Sequence, residues 1–590
     1  MYATACPTTR PRRKSPRRAG VFSWCGCPDL NWGPHAYQRW EIYCVTKTLS
    51  STGYTKKYRR GKTCWNSRHS RVRVLKQPIK FPVRTPRRSM KQLGSVNDFG
   101  SVDADNDRLL REAFEDHEAY KNVLNRSRFL VIGRKGTGKT AIYRKLITLN
   151  SHDTFTYGFT FVDYPWHLHD IQTKMGVPEF EKYKHSWTYF ILMSLSKLIL
   201  NYDQSIPASQ EALDSSAILE NFVLDTYGSR DVDITRVFTP AYSIKWNASV
   251  EANAGFAKAG ASTQNVPMKE LPSIISEVNS TIMFHTLRSL NPDHKYIIAF
   301  DQLDYGFKPS DETYKQRIIG LILAAKELNN AAREEGINLL VTVFLRDDIY
   351  SILQFEDKNK VTVNFVSLIE WDTPRTNHTL KNLMERRFLE LLREGGESVD
   401  WDNVFDETRE MPGRQAKYKY ILDRTFNRPR DMIMFCNSIL SKYKDRGGVR
   451  DVPNKFNNAD INDAKADYST YFLNEIDDEV HKHIPDYKRY LDVIRRVGVW
   501  YFDLEDFSHS MTIEFGPGKD HVQALKDLFE FSIIGFLRSG GRAGGTTTIY
   551  KYKEPNVSFD HAAKRFRVHP GLIEVLDLRR NNANNDTDDE

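Results

Sequence analysis

Cysteine is scarce in this chain of 590 residues: there are six, and five of them (Cys6, Cys25, Cys27, Cys44, Cys64) fall in the first 64 positions. Cys436 is alone in the remainder, which excludes a disulfide framework and fits a reducing, cytoplasmic setting. No apolar run approaches 18 residues, so no membrane-spanning helix is expected. The basic N-terminus has no apolar stretch behind it, so it is not a secretory signal. Paired C-x₂-C units are also missing, which argues against a structural zinc site. Acidic residues are nearly absent from residues 1–89, where 21 Lys/Arg face only Asp29 and Glu41. The overall net charge of +9 is therefore an average of two unlike pieces, because residues 90–590 carry 64 basic and 74 acidic residues. A mildly acidic body gives no electrostatic ground for nucleic-acid binding.

Residues 1–89 have no periodicity. The segment Cys27-Pro28-Asp29-Leu30-Asn31-Trp32-Gly33-Pro34-His35 resembles peptides that recur in mistaken translations upstream of bacterial genes. A disordered or mis-called leader is the expectation, with Met90 as the start of ordinary composition; a basic arm for nucleic acid is the alternative.

What is present centres on Gly133-Arg134-Lys135-Gly136-Thr137-Gly138-Lys139-Thr140. Phe129-Leu130-Val131-Ile132 before it suits a buried parallel strand, and Ala141 to Ile147 after it has helical spacing. Strand, glycine-rich loop and helix with G-x-x-x-x-G-K-T form a P-loop in its required context. The glycines let backbone N–H groups face a phosphate, and the helix N-terminus adds favourable partial charge. Lys139 reaches the β- and γ-phosphates, and Thr140 offers a hydroxyl to Mg²⁺. Ala141 completes the nucleotide-contacting turn.

The rest of the chain reads as further parts of an α/β nucleotide-binding fold: a parallel-sheet core over 90–365, a helical lid over 366–455, a winged-helix-like unit over 456–580 and a solvated tail over 581–590. Ser101 to Asn125 is read as helical, Phe155 to Val162 as a strand, and residues 202–265 as an insertion with an Ala/Gly/Ser-rich loop at Ala248 to Thr263. Tyr296 to Phe300 is an apolar strand ending in Asp301, the form of a Walker B segment whose acid holds Mg²⁺. A glutamate commonly follows that acid in AAA+ ATPases. Here Gln302 takes its place and cannot accept a proton, so Asp304 is the candidate base. Asn338 to Leu345 is the next buried strand, and Arg346 at its tip suits stabilisation of charge on a transferring phosphoryl group. Asn427-Arg428-Pro429-Arg430-Asp431 opens a lid helix with Asn427 as N-cap, and either Arg428 or Arg430 is placed to sense nucleotide. In the C-terminal unit the third helix is not basic, since Lys519, His521 and Lys526 are offset by Asp520, Asp527 and Glu530. Docking against this chain or a protein partner is therefore favoured over DNA contact, which would fall to Arg538, Arg542 and Lys551 of the wing.

With these motifs in order, residues 100–580 resemble a family of bacterial P-loop ATPases of STAND and KAP layout, and more distantly origin-recognition AAA+ proteins. The likeness rests on Gly133 to Thr140, Asp301-Gln302-Leu303-Asp304, Phe344-Leu345-Arg346-Asp347-Asp348-Ile349 and Arg428-Pro429-Arg430-Asp431. It implies ATP and Mg²⁺, slow hydrolysis, nucleotide-controlled movement of the lid and winged helix, homo-oligomers, and roles in defence, signalling or DNA transactions. The alternative is a nucleotide-gated DNA-binding protein of replication, repair or transposition. A small-molecule kinase fits poorly with the long segment between Lys139 and Asp301.

Overall fold

The computed structural model describes residues 90–161, 169, 179–203, 205–238, 243–246, 264–267, 271–395, 398–447, 453–539 and 546–579. The leader, the Ala/Gly/Ser-rich loop, the turn holding Arg542 and the tail from residue 580 lie outside them.

Five strands form the core sheet: β1 (Leu130–Gly133), β2 (Thr154–Thr160), β5 (Lys295–Asp301), β6 (Leu339–Arg346) and β7 (Val366–Leu368). A separate antiparallel ribbon pairs β3 (Ser243–Trp246) with β4 (Gln264–Pro267). The core order is β2-β5-β6-β1-β7, with every pairing parallel. Parallel strands covered on both faces need continuous apolar runs, and Tyr296 to Phe300 and Leu339 to Leu345 are buried throughout. Helices Glu179–Asn201 and Glu312–Glu334 pack together along the sheet. The register sets Gly133 beside Arg346 and Thr160 beside Asp301, so the ends of β1, β5 and β6 present the P-loop, Asp301 and Arg346 at one edge.

Ser101 to Asn125 departs from the helical expectation: only Glu118–Leu124 is an α-helix. Aspartates displace the helix by capping backbone donors locally. Asp98 accepts from Gly100 N, Asp103 from Asp105 N, and Asp107 from Leu109 N. Before this stretch, Met90 to Phe99 follows the lid. Lys91 N donates to Leu392 O at 2.9 Å, and the Phe99 ring stands edge-on to Phe388.

The lid contains helices Leu380–Leu392, Trp401–Val404, Lys417–Leu422 and Pro429–Arg446. The long helix Asn458–Val480 packs against Pro429–Arg446, with Phe435 stacked on Tyr468 at 4.1 Å. It lies just past the boundary expected at residue 456 and shares the lid's core. Beyond it come helix Tyr487–Val497, β8 (Tyr501–Asp503), helices Leu504–Phe515 and His521–Glu530, then β9 (Ile534–Ser539), β10 (Thr546–Ile549) and β11 (Arg565–Val568). The strands make one antiparallel sheet ordered β10-β9-β11-β8. This unit is fastened to the lid at Gly571, whose carbonyl accepts from Ser469 Oγ at 2.7 Å.

Candidate functional site: a glycine-rich loop beneath a helical lid

The loop between β1 and helix Lys139–Ile147 turns on two glycines with positive φ, Gly136 at 81° and Gly138 at 107°. A side chain at either position would be strained. Gly133 has a different requirement: a Cβ there would meet Thr137 Oγ1 at 2.5 Å. Thr137 Oγ1 donates to Arg134 O at 2.9 Å, and Trp371 Nε1 donates to Thr137 O at 3.0 Å. Lys139 Nζ curls under the loop and donates to Gly133 O at 2.7 Å and Arg134 O at 2.9 Å. Burial lowers its pKa.

Asp301 is 2% exposed and shares a hydrogen bond with the Thr140 hydroxyl. Burial raises its carboxyl to about 6, although the Thr140 bond acts the other way. Its Oδ2 is buried without a hydrogen-bond partner. A buried, unsatisfied carboxylate oxygen beside a P-loop threonine fits a hard divalent cation. No cluster of three or more His, Cys, Asp or Glu suited to a metal occurs among the described residues. A Mg²⁺ ion would therefore depend on Thr140, Asp301, phosphate oxygens and water, the usual composition of such a site.

Asp304 and Arg346 are brought together: Arg346 Nη1 lies 3.2 Å from Asp304 Oδ2. Arg346 is also held bidentately by Asp348, with Nε–Oδ1 at 3.0 Å and Nη2–Oδ2 at 2.7 Å. Burial raises the Asp348 carboxyl, but His483 and Arg346 outweigh that and hold it well below the usual carboxylate range. His483 Nε2 is 3.5 Å away, so a residue beyond the long helix joins this group. Asp304 is the more open acid, its side chain 39% exposed.

The two lid arginines occupy different environments. Asn427 is not the N-cap expected from sequence. It has φ of 52°, and Arg428 occupies the cap position with Pro429 following it. Arg428 is fully buried. It forms a bidentate pair with Asp431 (Nε–Oδ2 2.9 Å, Nη2–Oδ1 3.0 Å), contacts Glu479, and donates to Lys135 O at 3.0 Å. Arg430 lies against the loop instead. Its backbone N donates to Gly136 O at 3.4 Å, its Cβ is what a Cβ on Gly136 would touch, and its Nη1 pairs with Glu475 at 2.8 Å.

A cavity of about 130 Å³ opens beside the loop. Its walls are Gly136 to Ile142, Val102, Leu110 and Phe114 of the connecting segment, Trp371, and Arg430 and Ile433 of the lid. Apolar walls around a few polar groups are the usual lining of a small-molecule site. Sequence reasoning missed Val102, Leu110, Phe114 and Trp371. Leu110 and Phe114 repeat at helical spacing and so read as a helix face, Val102 stands outside that repeat, and Trp371 stands in a polar stretch with no motif around it.

Residues 378–477 match the family described as the FunZ-associated C-terminal helical domain. This span covers the lid helices and most of Asn458–Val480. Over 520 residues the chain is 25% identical to an 80.3 kDa protein of transposon gamma-delta from Escherichia coli (strain K12), covering 82% of this chain and 68% of that protein. The crystal structure of Cdc6p from Pyrobaculum aerophilum aligns at 14% identity and a TM-score of 0.25, over 80% of this chain and 91% of that one. A TM-score that low carries no argument.

Proposed function

We propose that this chain is a Mg²⁺-dependent ATPase that works as a slow switch, its nucleotide state moving the helical lid and a C-terminal winged helix. The observation that carries the reading is the P-loop with Lys139 beneath it and the orphaned Asp301 oxygen beside Thr140. The phosphates lie on the loop N–H groups, and the base enters the apolar cavity beneath Trp371 and Ile433. Lys139 exchanges its bonds to the Gly133 and Arg134 carbonyls for phosphate oxygens. Thr140 and Asp301 would hold Mg²⁺, which supplies neutralisation of phosphate charge when bound. Arg346 leaves Asp348 to meet charge developing on the γ-phosphoryl group. Asp304, released from Arg346, accepts the proton of attacking water. Arg430 closes over Gly136 from the lid. The resemblance to STAND-type ATPases adds nucleotide-dependent homo-oligomers and a role in bacterial defence or signalling.

The test is steady-state phosphate release from ATP with Lys139→Ala as the control. Magnesium-dependent release by the wild type and its loss in the variant are expected. Equal inertness, with neither protein binding ATP, refutes the reading.

A second reading makes the chain a nucleotide-gated DNA-binding protein in transposition. The transposon protein among its relatives favours it. It requires duplex binding by a chain starting at Met90 that weakens steeply with salt. Binding confined to the full chain would assign the effect to the leader.

A further inference from the structure

Four basic residues around the P-loop each pair with an acid from one element. Arg134 lies 3.3 Å from Glu479, and Lys135 lies 2.8 Å from Asp478 and 3.5 Å from Glu475. Arg428 contacts Glu479, and Arg430 pairs with Glu475 at 2.8 Å. All three acids sit in the last turns of helix Asn458–Val480, immediately before the C-terminal unit. Glu475 and Glu479, four residues apart, share one face of the helix. Neither is open to solvent, with side-chain exposures of 15% and 8%. Phe426 lies under both Arg134 (4.6 Å) and Arg428 (5.0 Å) and closes the inner side of the cluster. Three residues past the helix, His483 reaches Asp348, the acid that holds Arg346.

We infer that Glu475 and Glu479 form an anionic latch that docks the end of this helix on the P-loop and is set against nucleotide phosphate. The inference rests on the nucleotide reading above. Arg134, Lys135, Arg428 and Arg430 are shared between the latch and the field around the phosphates. A bound triphosphate brings three to four negative charges to the loop, within roughly 10 Å of these carboxylates, a range over which partly buried charges are only weakly screened. Repulsion between the two sets of anions, and competition for the same cations, makes phosphate binding and helix docking antagonistic. Such coupling is reciprocal: whatever weakens the latch tightens nucleotide, and nucleotide loosens the latch. Release starts at Glu475 to Val480, the point where the chain leaves the lid for the C-terminal unit. Glu475 and Glu479 are thus positioning residues that act through the P-loop cations.

The experiment uses the full chain, Glu479→Gln, Glu475→Gln and Lys139→Ala. A fluorescent ATP analogue is titrated in the presence of Mg²⁺, and hydrogen exchange of peptides covering 470–486 is followed with and without ATP. Glu475→Gln is included because its site is less deeply enclosed than that of Glu479, should Glu479→Gln fail to fold. The expected result is about five- to tenfold tighter analogue binding in the Gln variants, the lower end of typical coupling energies. ATP speeds exchange of 470–486 in the wild type, and that response shrinks in the variants. Binding by the wild type with unchanged affinity in Glu475→Gln and no ATP effect on 470–486 overturns the latch and leaves the nucleotide reading standing. Absence of binding by the wild type, indistinguishable from Lys139→Ala, overturns both.

Discussion

Replacing Arg428 by Ala should cost stability, whereas replacing Arg430 by Ala should cost nucleotide affinity. Arg428 is enclosed completely, and its guanidinium serves two buried acids, Asp431 and Glu479, as well as the Lys135 carbonyl. Truncation leaves those carboxylates in a low-dielectric site without their main counter-charge. Breaking a buried pair from one side costs roughly 3–5 kcal/mol. The lower end applies here, because Asp431 still accepts from Phe426 N and Glu479 still has Arg134. A loss of about 3 kcal/mol lowers the unfolding midpoint by roughly 6–12 °C for a cooperative unit of 150–250 residues. Arg430 is 23% exposed at its side chain and has one acid, Glu475, where Arg428 has two. Its contact with Gly136 and its place in the cavity wall make it the arginine a nucleotide meets. The assay is scanning fluorimetry of both variants without nucleotide, followed by titration with a fluorescent ATP analogue. An Arg428→Ala midpoint within 2 °C of wild type, combined with a larger affinity loss than in Arg430→Ala, refutes this division.

Lys139→Ala should fold with an unchanged midpoint and lose the thermal stabilisation that Mg-ATP gives the wild type, read by the same fluorimetry. Asp301→Asn should weaken Mg²⁺-dependent nucleotide binding, whereas Asp304→Asn should keep binding and slow phosphate release by about 10²–10⁴-fold, the usual effect of losing a general base; full activity in Asp304→Asn removes it from that role. His117 is held neutral, with burial lowering it to about 4, and its Nδ1 accepts from Ala119 N while Nε2 meets Glu370 O. Because the unfolded chain takes up this proton first, stability is full above pH 6.5 and falls as pH drops toward 4, by on the order of 3 kcal/mol. Urea unfolding between pH 4 and 7 should show that slope, and His117→Asn should flatten it.

Wherever the signal is local, the sequence announces the core. The apolar runs of β1, β5 and β6 carry enough buried side chains to specify strands, and the glycines of the P-loop specify its turn. Signals fail where local chemistry competes with periodicity. Leu109, Leu110, Ala113 and Phe114 repeat at helical spacing, yet the aspartates among and before them cap the backbone into turns. The three residues of β7 are too few to show any period, although their pairing with β1 is what carries Trp371 to the loop.

Arg428 and Arg430 show why the site was only half legible. In sequence they are equivalent: two arginines flanking Pro429 at a helix start, both placed to face a phosphate. The backbone separates them. Pro429 fixes the first helical position, which leaves Arg428 at the cap, one turn ahead of Asp431, and the carboxylate three residues on draws its guanidinium inward. Arg430, inside the first turn, points toward the loop. The second acid on Arg428, Glu479, lies 51 residues away on another helix. Glu475 pairs with Arg430 from 45 residues away. A motif search sees the cations because they stand beside recognisable landmarks. It cannot see the anions that balance them, because Asn458–Val480 reads as an ordinary amphipathic helix whose acids look like a solvated face. The loop is therefore legible as a candidate phosphate site from its own eight residues, while its resting charge balance is written in a helix more than 300 positions later.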